Sequence, residues 1–118
     1  MSDKILPEKA PHAMKMLIDT AENLNNLLER EANALILMRD PVALSAIESE
    51  KENLAKRYEA ASAEFKTRID DFKNMPKPQI EKLYTLQQRI GEKAEHNMQL
   101  VGQYQKEIRV QDADKEKK

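Results

Sequence analysis

Apolar residues recur at alternating steps of three and four along three stretches of the chain, and prolines separate the stretches. The first, over 11–39, places Met14, Leu17, Ala21, Leu24, Leu28, Leu35 and Met38 on one helical face, which only Glu31 interrupts. The second, over 41–74, carries Leu44, Ile47, Leu54, Tyr58, Ala61, Phe65 and Phe72, with Lys51 and Arg68 in the remaining slots. The third, over 78–110, carries Ile80, Leu83, Ile90, Ala94, Val101, Tyr104 and Ile108, with Gln87 and Asn97 filling its gaps. Pro7 and Pro11 precede the first stretch, Pro41 opens the second, and Pro76 and Pro78 precede the third. Asp40 can cap the helix that Pro41 begins, so the first connection is expected to be very short.

The pattern predicts an all-α fold, an elongated antiparallel helical hairpin extended to a three-helix coiled coil or bundle, as one domain over 1–110. Each helix would be a rod of about 45 Å. Residues 111–118 are charged and lack apolar periodicity, so they are expected to be frayed or disordered.

If the first two helices fold back about Asp40 and Pro41, facing slots have residue numbers that sum to about 82. Met38 then meets Leu44, Leu35 meets Ile47 and Leu28 meets Leu54. The two interruptions also meet, Glu31 opposite Lys51, as an ion pair that penalises sliding of one helix along the other. The third helix brings Val101 near the Lys51 level, with Asn97 and Tyr104 a step to either side, so it can supply hydrogen bonds to that layer.

Composition narrows the class. Hydrophobic residues make up 40% of the 118 but aromatics only 4%, and there are two glycines, which suits thin helical packing better than a thick or β-rich core. A net charge of -1 provides no field to draw nucleic acid or an anionic membrane. No cysteine is present, so disulfides and thiolate metal sites are excluded. The first residues lack the order of a signal peptide and no apolar run approaches the roughly 20 residues a bilayer requires, so a cytoplasmic location without membrane insertion is expected.

Candidate chemistry is sparse. His12 and His96 have no partner ligands in a recognised pattern, and Lys93 stands three before His96, where a helical di-iron signature needs Glu. Ser45, Ser49 and Ser62 lie in the second helix without a histidine or a glycine-rich turn nearby. Gly91 and Gly102 fall inside the third helix, where they cradle no phosphate but each weaken the helix by about 1 kcal/mol, marking it as the segment most ready to loosen. Neither an enzymatic activity nor a cofactor or metal is expected.

The order Leu27-Leu28, Glu31, Leu35, a turn after Asp40, then Leu44, Ile47, Lys51, Leu54 and a third helix bearing Asn97 resembles the FlgN family of flagellar export chaperones over roughly Leu24 to Tyr104. The resemblance implies a small cytoplasmic chaperone that binds hook-filament junction subunits, prevents their premature association and delivers them to the flagellar type III export apparatus, possible contact with the export gate included. Glu31 and Lys51 match the acidic and basic positions of the family's hairpin, and Asn97 its third-helix asparagine. The third helix and tail are short beside the family's usual C-terminal extension. Asn97, Met98, Val101, Tyr104 and Ile108 are the candidate partner-binding residues, with methionine supplying adaptable contacts. The competing reading is a self-associating coiled-coil scaffold or adaptor that uses the same stripes and has no exported client.

Overall fold

A computed structural model describes the backbone at residues 5–38 and 40–116 and the side chains at 5–37 and 40–107. Three helices account for nearly all of it: α1 (Ala10–Asn33), α2 (Pro41–Thr67) and α3 (Lys77–Glu116). No strand occurs among the described residues. The molecule is all-α and elongated, 66 × 31 × 18 Å.

α1 is the central element. It packs along both α2 and α3, whereas α2 and α3 scarcely touch each other. A helix with two neighbours needs more than one apolar stripe, and α1 accordingly buries Ile18, Asn25 and Leu27 beside the predicted Leu17, Leu24 and Leu28. Ile47 of α2 lies in a cluster with Leu27 and Ala34, one position round α1 from Leu28 and Leu35, against which the folding-back register had set the α2 stripe. The predicted partner of Leu44, Met38, lies outside the described side chains.

The turn between α1 and α2 differs from a plain helix end. After Asn33 the chain makes one π-helical turn, Ala34–Met38, with five apolar residues in a row. Only part of such a run can face inward: Ala34 and Leu35 are buried, whereas Ile36 and Leu37 are exposed. Asp40 caps α2, its Oδ1 accepting from the Val42 amide at 3.0 Å, with Pro41 as the first helical residue.

α2 ends at Thr67, short of the predicted 74, because Arg68 leaves helical geometry (φ -109°, ψ 24°) and a 3₁₀ turn, Ile69–Phe72, follows. The turn aims Phe72 into the core, with its ring centroid 4.8 Å from that of Phe65 and the Arg68 guanidinium 5.5 Å from its own centre. The Arg68 side chain then clasps the N-terminal segment. It donates to Pro7 O at 2.9 Å and Glu8 O at 2.8 Å, while Glu64 Oε1 accepts from the amides of Ile5 and Leu6 at 2.9 and 3.3 Å. Glu64 and Arg68 also bond each other at 3.0 Å. Leu6 is thereby held as a lid on the main core, which gathers Met14, Leu17, Phe65, Phe72 and Leu83 at this end of the molecule.

α3 continues to Glu116, through residues 111–116 that the loss of apolar periodicity had assigned to a frayed tail. Asn97 lies level with Glu31 and Leu28 of α1, and at about 1.5 Å per residue the last turns of α3 therefore run past the α1–α2 tip.

Candidate functional site

α2 and α3 both pack on α1 and scarcely touch each other. Between α2 and α3 this leaves an apolar groove of about 1020 Å³. Its floor is the α1 stripe of Leu24, Leu28, Glu31 and Leu35. One wall is α2, with Leu44, Lys51, Ala55 and Tyr58; the other is α3, with Ile90, Ala94, Val101 and Tyr104. The wall positions explain in part why α2 buries so few of its own apolar residues: Leu44 and Tyr58 are only half-covered, since α3 does not close over them.

A polar layer crosses the groove floor. Glu31 is buried to 2% exposure, and its two carboxylate oxygens have different partners: Lys51 Nζ donates to Oε2 at 2.6 Å, and Asn97 Nδ2 donates to Oε1 at 2.8 Å. The Asn97 amide also donates to Leu28 O at 2.8 Å. The two residues that interrupt the stripes of α1 and α2 therefore meet, and the amide in the α3 stripe joins them. Lys51 is shared further with Glu48, 3.1 Å away. Burial works against the charged ammonium, but its hydrogen bonds to Glu31 and Glu48 outweigh that penalty and hold it above the ordinary lysine value. Burial raises the Tyr58 hydroxyl above its usual value, so this wall residue stays neutral.

The candidate partner-binding residues separate into three groups. Asn97 has 2% exposure and its amide is bonded to Glu31 and Leu28 inside the protein. Val101 and Tyr104 are half-buried in the α3 wall, and Met98, 75% exposed, stands at the groove's edge. The Ile108 side chain lies outside the described residues. The residues missed in the sequence are those of the opposite wall: Leu44 and Tyr58, which the stripe of α2 assigned to core, and Ala55, which lay outside that stripe. Their signal was present but ambiguous, since an apolar stripe looks the same whether a neighbouring helix or an incoming one covers it.

Outside the groove, α3 is stapled to α1 by exposed ion pairs. Lys82 lies 2.7 Å from Glu22, which raises the Lys82 ammonium above its usual value, and Lys93 pairs with Glu29, holding that carboxyl below the usual range. His12 and His96 are both exposed. Among the described residues, no three acidic, histidine or cysteine side chains gather as metal ligands, and no helix is long and apolar enough to cross a membrane.

Fold and site together define an elongated helical protein with one long groove open between two of its three helices. Compared with known proteins, the chain matches no family model, no curated protein and no solved structure at a significant level.

Proposed function

We propose that this protein is a FlgN-like export chaperone: it binds hook-filament junction subunits in the cytoplasm, keeps them from associating prematurely and delivers them to the flagellar type III export apparatus, without catalytic chemistry of its own. The observation that carries this reading is the groove between α2 and α3. Two half-covered apolar walls over a buried apolar floor form the surface that accepts the apolar face of an amphipathic helix. Such a helix at the end of a client would otherwise expose that face and self-associate, and occupying the groove masks it.

The same reading accounts for the division of labour along the molecule. The clasped end, with Phe65, Phe72 and the Glu64–Arg68 grip on residues 5–8, keeps the three helices together. Between α2 and α3 the groove stays open. The polar layer of Glu31, Lys51 and Asn97 ties all three helices at mid-groove, so the floor keeps its shape while the walls stay free. The client is released later, which an open groove permits.

Size-exclusion chromatography of the purified chain mixed with individual flagellar subunits tests the reading. Co-elution with hook-filament junction subunits, and none with other subunits of the filament, is the expected result. Separate elution from every one of them would remove it.

A further inference from the structure

The groove walls differ in charge. The α3 wall consists of Ile90, Ala94, Met98, Val101, Gly102, Tyr104 and Gln105 and contributes no ionised side chain, whereas Glu48, Lys51 and Glu59 all belong to the α2 wall and Glu31 to the floor. Three carboxylates thus line the groove beside one ammonium, and Lys51 is divided between Glu31 and Glu48. The groove therefore has an excess of negative charge on one flank only.

Glu48 and Glu59 stand eleven residues apart in α2, which is about three turns, so both project to the same side of that helix. A helix lying alongside α2 presents one flank to this wall, and residues eleven apart on it repeat the same three-turn spacing. The wall from Pro41 to Glu59 has room for a partner of about 18 residues at 1.5 Å each.

We infer that, within the chaperone reading, the groove selects an amphipathic helix of another protein that carries Lys or Arg on one flank, at two positions about three turns apart, facing Glu48 and Glu59. Charge complementarity on one side fixes the direction and rotation of the bound helix as well as its identity, because turning it over places its basic flank against the uncharged α3 wall. A second copy of this chain fits the groove poorly. Beyond Met98 at the groove's edge, the large apolar side chains it exposes among the described residues, Ile36, Leu37, Val42, Ile69 and Tyr84, do not form a helical stripe.

The test uses the full chain and two designed helical peptides of about 18 residues with identical leucine-rich faces, one with lysines and one with glutamates at the two flank positions. At low salt the lysine peptide is expected to bind about tenfold more tightly, the gap is expected to shrink as salt is added, and Glu48→Gln with Glu59→Gln is expected to reduce it to about twofold. Both double-variant and parent proteins are checked for unchanged helicity by circular dichroism. Equal binding of the two peptides, lost together in Ala55→Trp, would overturn the charge selection and leave the groove as a helix site. Binding of neither peptide would overturn the inference, and the chaperone reading is then judged separately by its own chromatography with flagellar subunits. A dimer in sedimentation that Ala55→Trp converts to monomer would also overturn it, by showing that a second copy fills the groove.

Discussion

Lys51 Nζ lies 2.6 Å from Glu31 Oε2, and the carboxylate it reaches is almost wholly buried between helices. A buried carboxylate is costly unless its partners stay in place, so this contact governs how α2 sits on α1. Lys51→Met leaves Glu31 with Asn97 as its remaining partner and is expected to destabilise the protein by about 2–3 kcal/mol. The double variant Glu31→Leu, Lys51→Leu is expected to cost less than the two single changes together, because neither charge is then stranded. Urea unfolding of the parent, Glu31→Leu, Lys51→Leu and the double variant checks this, and strict additivity would show that the pair is not coupled.

The same contact sets an alkaline limit. The folded state holds the Lys51 ammonium above its ordinary 10.5, so its contribution is complete below that value and is lost as pH rises through the higher folded value. Thermal stability is expected to fall more steeply above pH about 10.5 in the parent than in Lys51→Met. Parallel alkaline profiles for the two proteins would contradict it. On the acid side Glu29, held low by Lys93, works in the opposite sense: its contribution is present above 4.5 and disappears as pH falls through its lowered value.

Asn97 donates to both Glu31 and Leu28, and its removal leaves the buried Glu31 Oε1 without its amide donor, while the Leu28 carbonyl keeps its bond within α1. Asn97→Ala is expected to cost about 1–3 kcal/mol of stability while leaving the affinity of the folded protein for a partner helix unchanged within a factor of about two. Unfolding curves measure the first and titration with a partner peptide the second; a large loss of affinity with intact stability would return Asn97 to the binding surface.

The N-terminal clasp depends on Glu64, which accepts from the Ile5 and Leu6 amides, and on Arg68, which donates to Pro7 and Glu8. Glu64→Ala is expected to free this segment and lower stability by about 1–2 kcal/mol. Hydrogen exchange reads it directly: the Ile5 and Leu6 amides should lose protection while those of α3 keep theirs.

A Cβ added at Gly91 meets nothing within 4 Å, so the glycine there contributes only backbone freedom. Gly91→Ala is expected to raise stability by about 0.5–1 kcal/mol. An unchanged or lower melting temperature would mean that α3 has to bend at this point.

Much of this arrangement was legible in the spacing of residues. The three-four steps and the prolines define three helices, Asp40 before Pro41 marks the start of α2, and the placement of Glu31 and Lys51 at one level follows from counting outward from the turn. The central position of α1 was harder to see. Its doublets Leu17-Ile18 and Leu27-Leu28 signal a second buried stripe, but a single heptad reading takes one residue of each and passes over the other. The end of α2 at Thr67 is set by Arg68, whose clasp on residues 5–8 is a contact across about sixty positions that no local pattern records. The groove is the least legible feature, since Leu44, Tyr58 and Val101 keep their heptad spacing whether or not a neighbour covers them. Only the separation of α2 from α3 shows that none of the described residues does.

The central claim, that the groove receives a client helix, is tested most directly by filling it. Ala55 lines the α2 wall and belongs to neither core cluster, so Ala55→Trp occupies the groove without overpacking the interior. Calorimetric titration of parent and variant with the terminal helices of hook-filament junction subunits should show binding to the parent and an affinity at least about tenfold weaker in the variant at unchanged melting temperature. Equal affinity of the two proteins would place the client elsewhere on the molecule and contradict the account.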